Sequence, residues 1–393
     1  MISNSVSAES PVGSILFVLN AQPKVWRAME EFHYRLCRAL VQRGVHPVVA
    51  FSGPVPDEIR DRMESTGATV LVLTFWKKSQ AYRALRKVIQ EYSVTVVHIR
   101  FFNYFQLVPW MARMLGVRTI IYTEPTSYVS TARGLKRWLL GLRAKLTTAP
   151  MTRIIAISQF VERRLIECGV PQEKIIVVYN GIDLRRFTPD DSGRDRLAES
   201  FAIGTDEYVL TTIARLESVK RVDVLLKACS ILKQRGFRFR LFIVGSGSLD
   251  GELRNLSQGL NLEECIYWVK QTSEPELFLR GSDVFLLATE GEAFGNVLVE
   301  AMACGVAVIG SRSGAIEELI LDGECGLLAT LNDPLSFADA IETVLSNPEL
   351  RHRFASAGVE RARSFNVSRA VEGTLGVYQG ISNDRRQTEA TDL

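Results

Sequence analysis

The sequence lacks the segments that would place a protein across a membrane or direct it out of the cell. None of its apolar runs approaches the roughly 20 residues that a membrane-spanning helix needs. The first 13 residues, MISNSVSAESPVG, contain neither the basic region nor the apolar region of a signal peptide. We therefore expect a cytoplasmic protein, either free in solution or in peripheral contact with the inner face of the membrane.

Motifs for metal ions and for dinucleotides are also missing. The six cysteines are scattered and show no CxxC or other ligand spacing, so we expect buried free thiols in a reducing cytosol. No Asp-x-Asp pair is present to carry a metal-bound diphosphate. The segment Leu241–Gly247 ends in Gly-x-Gly, but position 250 is aspartate, so the third glycine of a dinucleotide fingerprint is absent. These absences predict a protein that needs no metal and no cofactor.

The composition is that of a globular protein, with 47% hydrophobic and 23% charged residues. A chain of 393 residues is long enough for two domains of ordinary size. The net charge is only +3, which argues against a dedicated nucleic-acid binder. Of the four histidines, His98 ends an apolar run and faces a cleft in one interpretation, although a lone histidine is more often packed or solvated.

Short apolar runs alternate with amphipathic helical segments along most of the chain, which predicts βαβ units and parallel sheets. The pattern restarts after Asn180–Asp183. We predict a first domain over residues 12–183, a second over 184–366, a last helix over 367–380 and a tail over 381–393. The predicted strands are Ser14–Leu19, Val48–Phe51, Val70–Leu73, Val94–His98, Thr119–Tyr122 and Ile154–Ile157, then Tyr208–Ile213, Arg240–Val244, Cys265–Val269, Val284–Leu287 and Val306–Ile309.

The stretch Ser282–Ala303 combines a buried strand, a glycine-containing loop and an apolar-periodic helix that begins near Asn296. A helix N-terminus at the carboxyl end of a strand presents free N–H groups that suit a phosphate. Glu292 in the loop and Glu300 on the helix can each accept two vicinal hydroxyl groups. A nucleotide sugar has both kinds of group, although solvated glutamates on an ordinary strand–turn–helix remain an alternative.

A second charged segment follows the strand Tyr208–Ile213. Arg215 and Lys220 stand after the carboxyl end of that strand, where open α/β sheets bind ligands. An arginine holds a diphosphate with a planar fork, and a lysine adds a movable point charge. The alternative is a solvated basic turn.

These segments resemble the GT4 family of retaining glycosyltransferases. Glu292-Ala-Phe-Gly with Glu300 is similar to the family's E-x7-E motif, and Ala214–Arg221 is similar to G-R-L-x-x-x-K-G, with Ala214 and Arg221 in place of glycines. Val177–Pro189 resembles the inter-domain N-G-[VI]-D-x-x-x-F-x-P segment, which we interpret as structural. Ser311–Glu318 resembles a D-V-G-G-I-P-E turn.

The resemblance implies the GT-B fold, in which two Rossmann-like doubly wound domains face a central cleft. It implies that the first domain binds the acceptor, that the second binds the nucleotide sugar, and that the last helix crosses back to the first domain. It also implies transfer of a sugar with retention of anomeric configuration, from a nucleotide-diphosphate sugar (UDP weakly preferred over GDP) to a hydroxyl of a glycan, a lipid-linked or a small-molecule acceptor. By the same resemblance Arg215, Lys220 and Glu292 are catalytic, and Glu300 holds the ribose. The further implied substrate-binding residues are Phe294, Gly295, Asn296, Val297, Gly245, Val269 and Lys270, of which Lys270 replaces the family's usual glycine.

The first half of the chain departs from the family at two places. The loop after the first strand reads Ala21-Gln22-Pro23-Lys24, without the family's paired glycines, and we expect Lys24 to substitute electrostatically. Glu124 stands where the family has a histidine close to the donor sugar. Glu124 either holds a hydroxyl of a sugar or acceptor, or caps a turn.

Residues 132–145, ARGLKRWLLGLRAK, combine five cations with apolar residues at helical spacing. Such a basic amphipathic helix suits an anionic membrane surface, and Phe75–Tyr92 adds further basic charge. A helix that covers the first domain's sheet is the alternative.

Two other classes of function stay open. A nucleotide-sugar-binding protein without transferase activity shares the second-half motifs, and another GT-B enzyme such as a nucleotide-sugar epimerase shares the fold. A dinucleotide oxidoreductase is disfavoured because the fingerprint is incomplete.

Overall fold

The computed structural model describes residues 13–73, 78–101, 107–125 and 134–391. The chain divides into two compact units. Unit 1 comprises residues 1–157, 161–178 and 370–393, and unit 2 comprises residues 158–160 and 179–369. Parts of two predictions lie outside the described residues: the start of the basic segment at 75–92 and the start of the amphipathic helix at 132–145.

Unit 1 contains a parallel sheet with the order β3-β2-β1-β4-β5-β6-β7. Its central strands are apolar and buried on both faces, as parallel strands covered by helices are. The chain leaves β1 in one direction and returns as β4 on its other side, so the order reverses between β1 and β4. The strands are β1 Ser14–Leu19, β2 Pro47–Phe51, β3 Thr69–Val72, β4 Val94–Arg100, β5 Thr119–Glu124, β6 Arg153–Ala156 and β7 Ile175–Val177.

Helices alternate with these strands, as the amphipathic pattern predicts. They are α1 Ala28–Val41, α2 Asp57–Glu64, α3 Lys78–Glu91, α4 Val108–Met114, α5 Gly134–Thr148 and α6 Gln159–Glu167. Helix α5 confirms a helix within the basic amphipathic segment. No helix in the described part of the chain is both long enough and apolar enough to span a bilayer.

The last helix, α15, spans Val367–Thr391 and belongs to unit 1 from Ala370 onward. The prediction of a tail over 381–393 was therefore wrong, since the helix continues through eleven of those residues. No glycine or proline follows Gly380, so the sequence contains no residue that would end the helix there.

Unit 2 repeats the architecture with a parallel sheet in the order β10-β9-β8-β11-β12-β13. Here the order reverses between β8 and β11. The strands are β8 Tyr208–Ile213, β9 Phe239–Val244, β10 Ile266–Val269, β11 Val284–Leu287, β12 Ala307–Ser311 and β13 Leu327–Ala329. Strands β7 and β13 were not predicted, because each has three residues and too short an apolar run to stand out.

The helices of unit 2 cover both faces of this sheet. They are α7 Gly193–Phe201, α8 Val222–Gln234, α9 Asp250–Gly259, α10 Pro275–Arg280, α11 Asn296–Ala303, α12 Ile316–Leu319, α13 Pro334–Leu345 and α14 Pro348–Arg363. One core forms where α8 and α13 pack on the sheet, around Leu225 and Phe337. A smaller aromatic core on the other face joins Phe201, Phe242 and Phe278.

All six cysteines are free, and four of them are buried. Burial raises the pKa of the Cys37 thiol and the Cys304 thiol to about 12 each. These thiols therefore behave as small apolar core groups.

Two neutral histidines lie inside unit 1. The His98 ring is buried at the centre of β4, and its nitrogens lie 2.6 Å from the Tyr378 hydroxyl on α15 and 2.7 Å from the Thr123 hydroxyl on β5. His33 on α1 is buried nearby and contacts the Met29 carbonyl at 2.8 Å. Burial, with Arg100 close by, lowers the pKa of His33 to about 3, and burial lowers the pKa of His98 well below 6.5. His98 is thus a packed residue that joins the last helix to the sheet.

The lowered pKa values of His33 and His98 predict that unit 1 loses stability in acid. Below pH 6.5 the unfolded chain binds protons that the buried rings cannot accept, so the free energy of unfolding falls as pH decreases from about 6.5 toward 3. The slope approaches about 1.4 kcal/mol per pH unit for each histidine. Thermal melts of the full chain between pH 7.5 and 5 measure this dependence.

His98→Gln is expected to reduce the pH dependence of the melting temperature, whereas His352→Gln, at an exposed position on α14, leaves it unchanged. Equal pH dependence in both variants and the wild type would contradict the assignment of the acid sensitivity to the buried ring.

Candidate functional site

The candidate site of unit 2 lies at the carboxyl ends of β8 and β11, between which the strand order reverses. At such a point the loops after the two strands run toward opposite faces of the sheet, and a crevice forms between them. The loop after β8 spans residues 214–221, and the loop after β11 spans residues 288–295. These two loops contain Arg215, Lys220 and Glu292.

The loop after β8 contains a short 3₁₀ turn, Ser218–Lys220, and Arg221 then precedes the first residue of α8. Arg221 has φ +45°, the left-handed conformation that glycine adopts without strain. Its guanidinium donates to both carboxylate oxygens of Asp223 at 3.1 Å, which holds the strained residue in place. This explains how Arg221 occupies the position of the second glycine in the family pattern.

The loop after β11 contains two glycines in the left-handed region, Gly291 at φ +65° and Gly295 at φ +97°. Gly295 precedes the first residue of α11, and no side chain in the described part of the chain caps that helix. The N–H groups of Asn296 and Val297, in the first turn, therefore have no partner within the helix and are available to an anion.

A direct ion pair joins the two loops. The Lys220 ammonium donates to Glu292 Oε2, and the Thr289 hydroxyl donates to the same oxygen at 3.2 Å. The backbone reinforces the contact, because the Glu290 N–H donates to the Val219 carbonyl at 2.8 Å. Both charged side chains are 18% exposed, so a ligand can reach them. The sequence did not predict this pairing, since it assigned the two side chains to different parts of a donor.

The other two charged residues, Arg215 and Glu300, lie close in sequence to this pair. Arg215 is exposed, and its guanidinium forms no hydrogen bond or ion pair with any residue for which the structure describes a side chain. Glu300 is half-buried on the second turn of α11. The structure therefore brings Lys220 and Glu292 into contact. Arg215 lies in the loop that contains Lys220, and Glu300 lies on the helix that follows the loop of Glu292.

Phe294, Asn296 and Val297 occupy different environments around the start of α11. Phe294 is buried against Tyr179 and Phe365, with ring centroids 6.4 and 5.6 Å away, so its side chain belongs to the core and only its backbone can meet a ligand. Val297 is half-buried. Asn296 Oδ1 is buried and has no hydrogen-bond partner among the described residues.

Gly245 supports the site through close packing. A Cβ atom at this position would lie 1.9 Å from the Ala214 carbonyl oxygen, so only glycine lets the loop after β9 approach the loop after β8. Its N–H donates to the Val269 carbonyl at 2.8 Å. Lys270 follows at the exposed end of β10, the edge strand. Val269 and Lys270 thus lie one strand away from Gly245, on the side opposite the Lys220–Glu292 pair.

Residues of a neighbouring turn position Glu292, and the sequence analysis assigned them no role. The Ala315 N–H donates to the Glu292 carbonyl at 2.8 Å, and the Gly291 N–H donates to the Ser313 hydroxyl at 2.9 Å. A Cβ atom on Gly314 would lie 2.5 Å from both the backbone nitrogen and the backbone oxygen of Glu292. In the sequence, only the resemblance of Ser311–Glu318 to a family turn pointed to this segment. That resemblance did not predict its contacts with Glu292.

The two site residues predicted in unit 1 lie at the carboxyl edge of its sheet. Lys24 is exposed in the loop after β1. Glu124 is buried at the end of β5, where the Tyr122 hydroxyl donates to it at 3.3 Å. Arg100, at the end of the neighbouring β4, is also buried, and burial lowers its pKa to about 10, while Glu30 opposes the shift.

Gly314→Ala is expected to displace Glu292, because the added methyl group overlaps its backbone. Overpacking of this size costs about 1–3 kcal/mol, and the positive φ adds strain. The control is Gly323→Ala, which has a similar φ of +78° but no atom within 4 Å. Urea unfolding measures the stability of both variants, and calorimetry with a nucleoside diphosphate measures ligand binding.

We expect Gly314→Ala to weaken nucleotide binding at least tenfold and Gly323→Ala to leave it within twofold of the wild type. If both variants bind equally well, the turn does not position Glu292.

Two family models match the chain. Residues 193–361 match the model described as Glycosyl transferases group 1, and residues 29–186 match the model described as Glycosyltransferase Family 4. Together these ranges include most of the chain.

Among curated proteins, the D-inositol 3-phosphate glycosyltransferase of Acidothermus cellulolyticus is 32% identical over 255 residues, which cover 62% of this chain and 56% of the relative. The capsular polysaccharide biosynthesis glycosyltransferase CapM of Staphylococcus aureus is 27% identical over 66% of this chain and 69% of the relative. The chain spans 51–60% of the length of the first three inositol 3-phosphate glycosyltransferases that it matches.

Solved structures show the same fold. A glycosyltransferase from Rickettsia africae superposes with a TM-score of 0.80 at 19% identity, over 95% of this chain and 99% of that chain. Anabaena Alr3699/HepE, solved in complex with UDP-glucose, superposes with a TM-score of 0.80 at 20% identity, over 94% and 100%. The two doubly wound units are therefore those of the GT-B fold, and the chain belongs to the group 1 glycosyltransferases of the GT4 family.

Proposed function

We propose that this protein is a retaining glycosyltransferase that moves a sugar from a nucleotide-diphosphate sugar to an acceptor hydroxyl. The observation that carries the proposal is the contact between Lys220 and Glu292 where the strand order of unit 2 reverses. A cation and a carboxylate that meet beside free helix amides can hold a diphosphate and a sugar hydroxyl of one ligand. A neutral ligand would leave the lysine, Arg215 and the amides without a role.

In the proposed reaction the bond between the anomeric carbon and the β-phosphate oxygen breaks, and the acceptor oxygen bonds to the same face of that carbon. The bonding electrons leave on the β-phosphate, which takes up the proton of the acceptor hydroxyl. Arg215, Lys220 and the amides at the start of α11 face the negative charge that grows in the transition state, where such groups stabilise most. Glu292 binds hydroxyls of the transferred sugar, and Glu300 binds the ribose.

In the free protein, Lys220 forms an ion pair with Glu292. When a donor binds, the diphosphate offers the lysine a doubly charged partner, and Glu292 is released to accept hydroxyl groups. Both groups keep partners in this exchange, since the diphosphate pairs with the ammonium and the sugar hydroxyls donate to the carboxylate. The same pair therefore keeps both side chains oriented before the donor arrives.

For the donor nucleotide we propose UDP in preference to GDP, supported by Alr3699/HepE, which was solved with UDP and with UDP-glucose. For the acceptor we propose a hydroxyl of a glycan, a lipid-linked or a small-molecule substrate, supported by the names of the capsular polysaccharide and inositol phosphate enzymes. We further propose a cytoplasmic location with peripheral membrane contact through residues 132–145, and a reaction without a metal ion or cofactor.

Substitution of Lys220 is expected to impair transfer much more than stability. Lys220→Ala and Arg215→Ala should each lower kcat/KM about 10²–10³-fold with a UDP-sugar, the range for loss of one charge-stabilising group. Glu292→Gln should lower it about 10–100-fold. A coupled assay for released nucleoside diphosphate, together with detection of the glycosylated acceptor, measures these rates.

The matched control is Arg363→Ala, which removes an exposed arginine of α14 from an ion pair with Glu360. It should retain full activity and the wild-type melting temperature. Full transferase activity in Lys220→Ala would refute the proposed site, and nucleotide binding without transfer in the wild type would favour a binding protein.

Metal independence and retention are tested together. The chain has no Asp-x-Asp clamp, so transfer should continue at an unchanged rate in excess EDTA. Proton NMR of the first product, recorded before anomeric exchange, should show the anomeric configuration of the donor. Loss of activity with EDTA and its recovery with Mg²⁺ or Mn²⁺ would contradict the first expectation, and an inverted product the second.

A further inference from the structure

Helices α3, α4 and α5 of unit 1 form one surface that the proposed reaction does not use. The Trp110 indole N–H on α4 donates to the Leu146 carbonyl on α5 at 3.2 Å, which holds these two helices side by side. Helices α3 and α4 pack against each other and line an open groove of about 510 Å³. Its walls include Tyr82 and Arg83 from α3 and Met111 and Met114 from α4. We name this surface the α3–α5 face.

The α3–α5 face exposes an unusual amount of apolar surface. It holds six of the thirteen large apolar side chains that are exposed in the described chain: Leu107, Trp110, Met114, Leu139, Leu142 and Leu146. Met114 is 73% exposed and Leu146 is 58% exposed. Leu139, Leu142 and Leu146 recur at helical spacing, so α5 turns an apolar stripe outward, away from the sheet. A group of exposed apolar side chains on adjoining helices indicates an interaction site, whereas single exposed residues do not.

The charge around this patch is predominantly positive. Residues 78–148 contain twelve Lys and Arg against two Asp and Glu, a net +10 in a chain whose total is +3. Arg83, Arg86 and Lys87 are exposed on α3, and Lys145 is exposed on α5. Of the two acids in this segment, Glu124 is buried in β5 and Glu91 ends α3. Apolar side chains thus stand among cations, and the negative charge of the protein lies in other segments.

We propose that the α3–α5 face docks onto a bilayer that contains anionic lipid. The apolar side chains of α4 and α5 enter the boundary between headgroups and acyl chains, and the cations meet the headgroups, as in interfacial amphipathic helices. The proposal rests on the proposed function in one respect, since it extends the contact through residues 132–145 to two further helices. By the family resemblance the first domain binds the acceptor, and this docking brings that domain to the surface where a lipid-linked acceptor resides.

Charge decides between a bilayer and another occupant. A symmetric contact between two copies of this face would bring two strongly positive surfaces together, which is unfavourable. A nucleic acid would satisfy the cations but leave the exposed leucines and Met114 unburied. An anionic bilayer satisfies the cations and buries the apolar side chains.

The test is co-sedimentation of the full chain with vesicles of phosphatidylcholine alone and with about 30% phosphatidylglycerol. Binding should be at least tenfold tighter with the anionic lipid and should weaken with added salt, since each surface cation adds about fivefold. The double variant M114S/L146S should lower the binding constant at least tenfold, and R83E/K87E should remove the preference for anionic lipid. L321S/L335S, at exposed leucines of unit 2, serves as the matched control and should bind as the wild type does.

Equal binding to both vesicles, or unchanged binding by M114S/L146S with a wild-type melting temperature, would overturn the proposal. So would sedimentation equilibrium showing a dimer that M114S/L146S dissociates, because the occupant would then be a second copy. Transfer to a soluble acceptor separates this proposal from the proposed function. M114S/L146S should retain that transfer, and Lys220→Ala should bind vesicles normally while losing it.

Discussion

The structure of the candidate site depends on the approach of two loops, after β8 and after β11, at the point where the sheet of unit 2 reverses its strand order. The Lys220–Glu292 ion pair joins the two loops, and the backbone hydrogen bond from the Glu290 N–H to the Val219 carbonyl reinforces the contact. Without this ion pair, each of the two charged side chains would populate many rotamers. Their pairing supplies a positioned cation and a positioned carboxylate before any ligand binds, which is the preorganisation that electrostatic catalysis needs.

Close backbone contacts make that approach possible. Gly245 lets the loop after β9 reach the Ala214 carbonyl, and Gly314 lets the turn after β12 reach the backbone of Glu292. At both positions a methyl group would overlap backbone atoms, which cannot rotate away as a side chain can. The site is therefore held by four neighbouring loops of one sheet edge, and the positions of the charged residues depend on glycines at the closest backbone contacts. Arg221 has a left-handed backbone conformation that glycine adopts more readily. Its hydrogen bonds to Asp223 help to hold it there.

Unit 1 has the same strand–helix architecture and a different distribution of polarity. Its interior holds the neutral rings of His33 and His98, together with the buried Arg100 and Glu124. Its exterior carries the apolar, cationic α3–α5 face. The buried histidines make unit 1 less stable in acid. The α3–α5 face exposes apolar side chains to water, which favours binding to another surface. Neither feature has a counterpart in the residues that form the candidate site of unit 2.

The sequence by itself determined the fold class and most of the elements. The predicted strands agree with those of the structure to within about two residues at nearly every end, because hydrophobic periodicity is a local property of the chain. It also selected Arg215, Lys220, Glu292 and Glu300 as candidate site residues, from their positions after predicted strands and from the resemblance to the GT4 motifs. The short strands β7 and β13 and the extent of α15 escaped prediction, since three-residue runs carry little periodicity and a polar helix has none.

Only the tertiary structure decided which groups touch. It paired Lys220 with Glu292, assigned the Phe294 side chain to the core, and showed that Gly245 and Gly314 serve close packing. It also joined α4 to α5 and thereby assembled one exposed face from helices far apart in the chain. These facts depend on distances between residues tens of positions apart, which side-chain packing sets and which no local pattern of residues records.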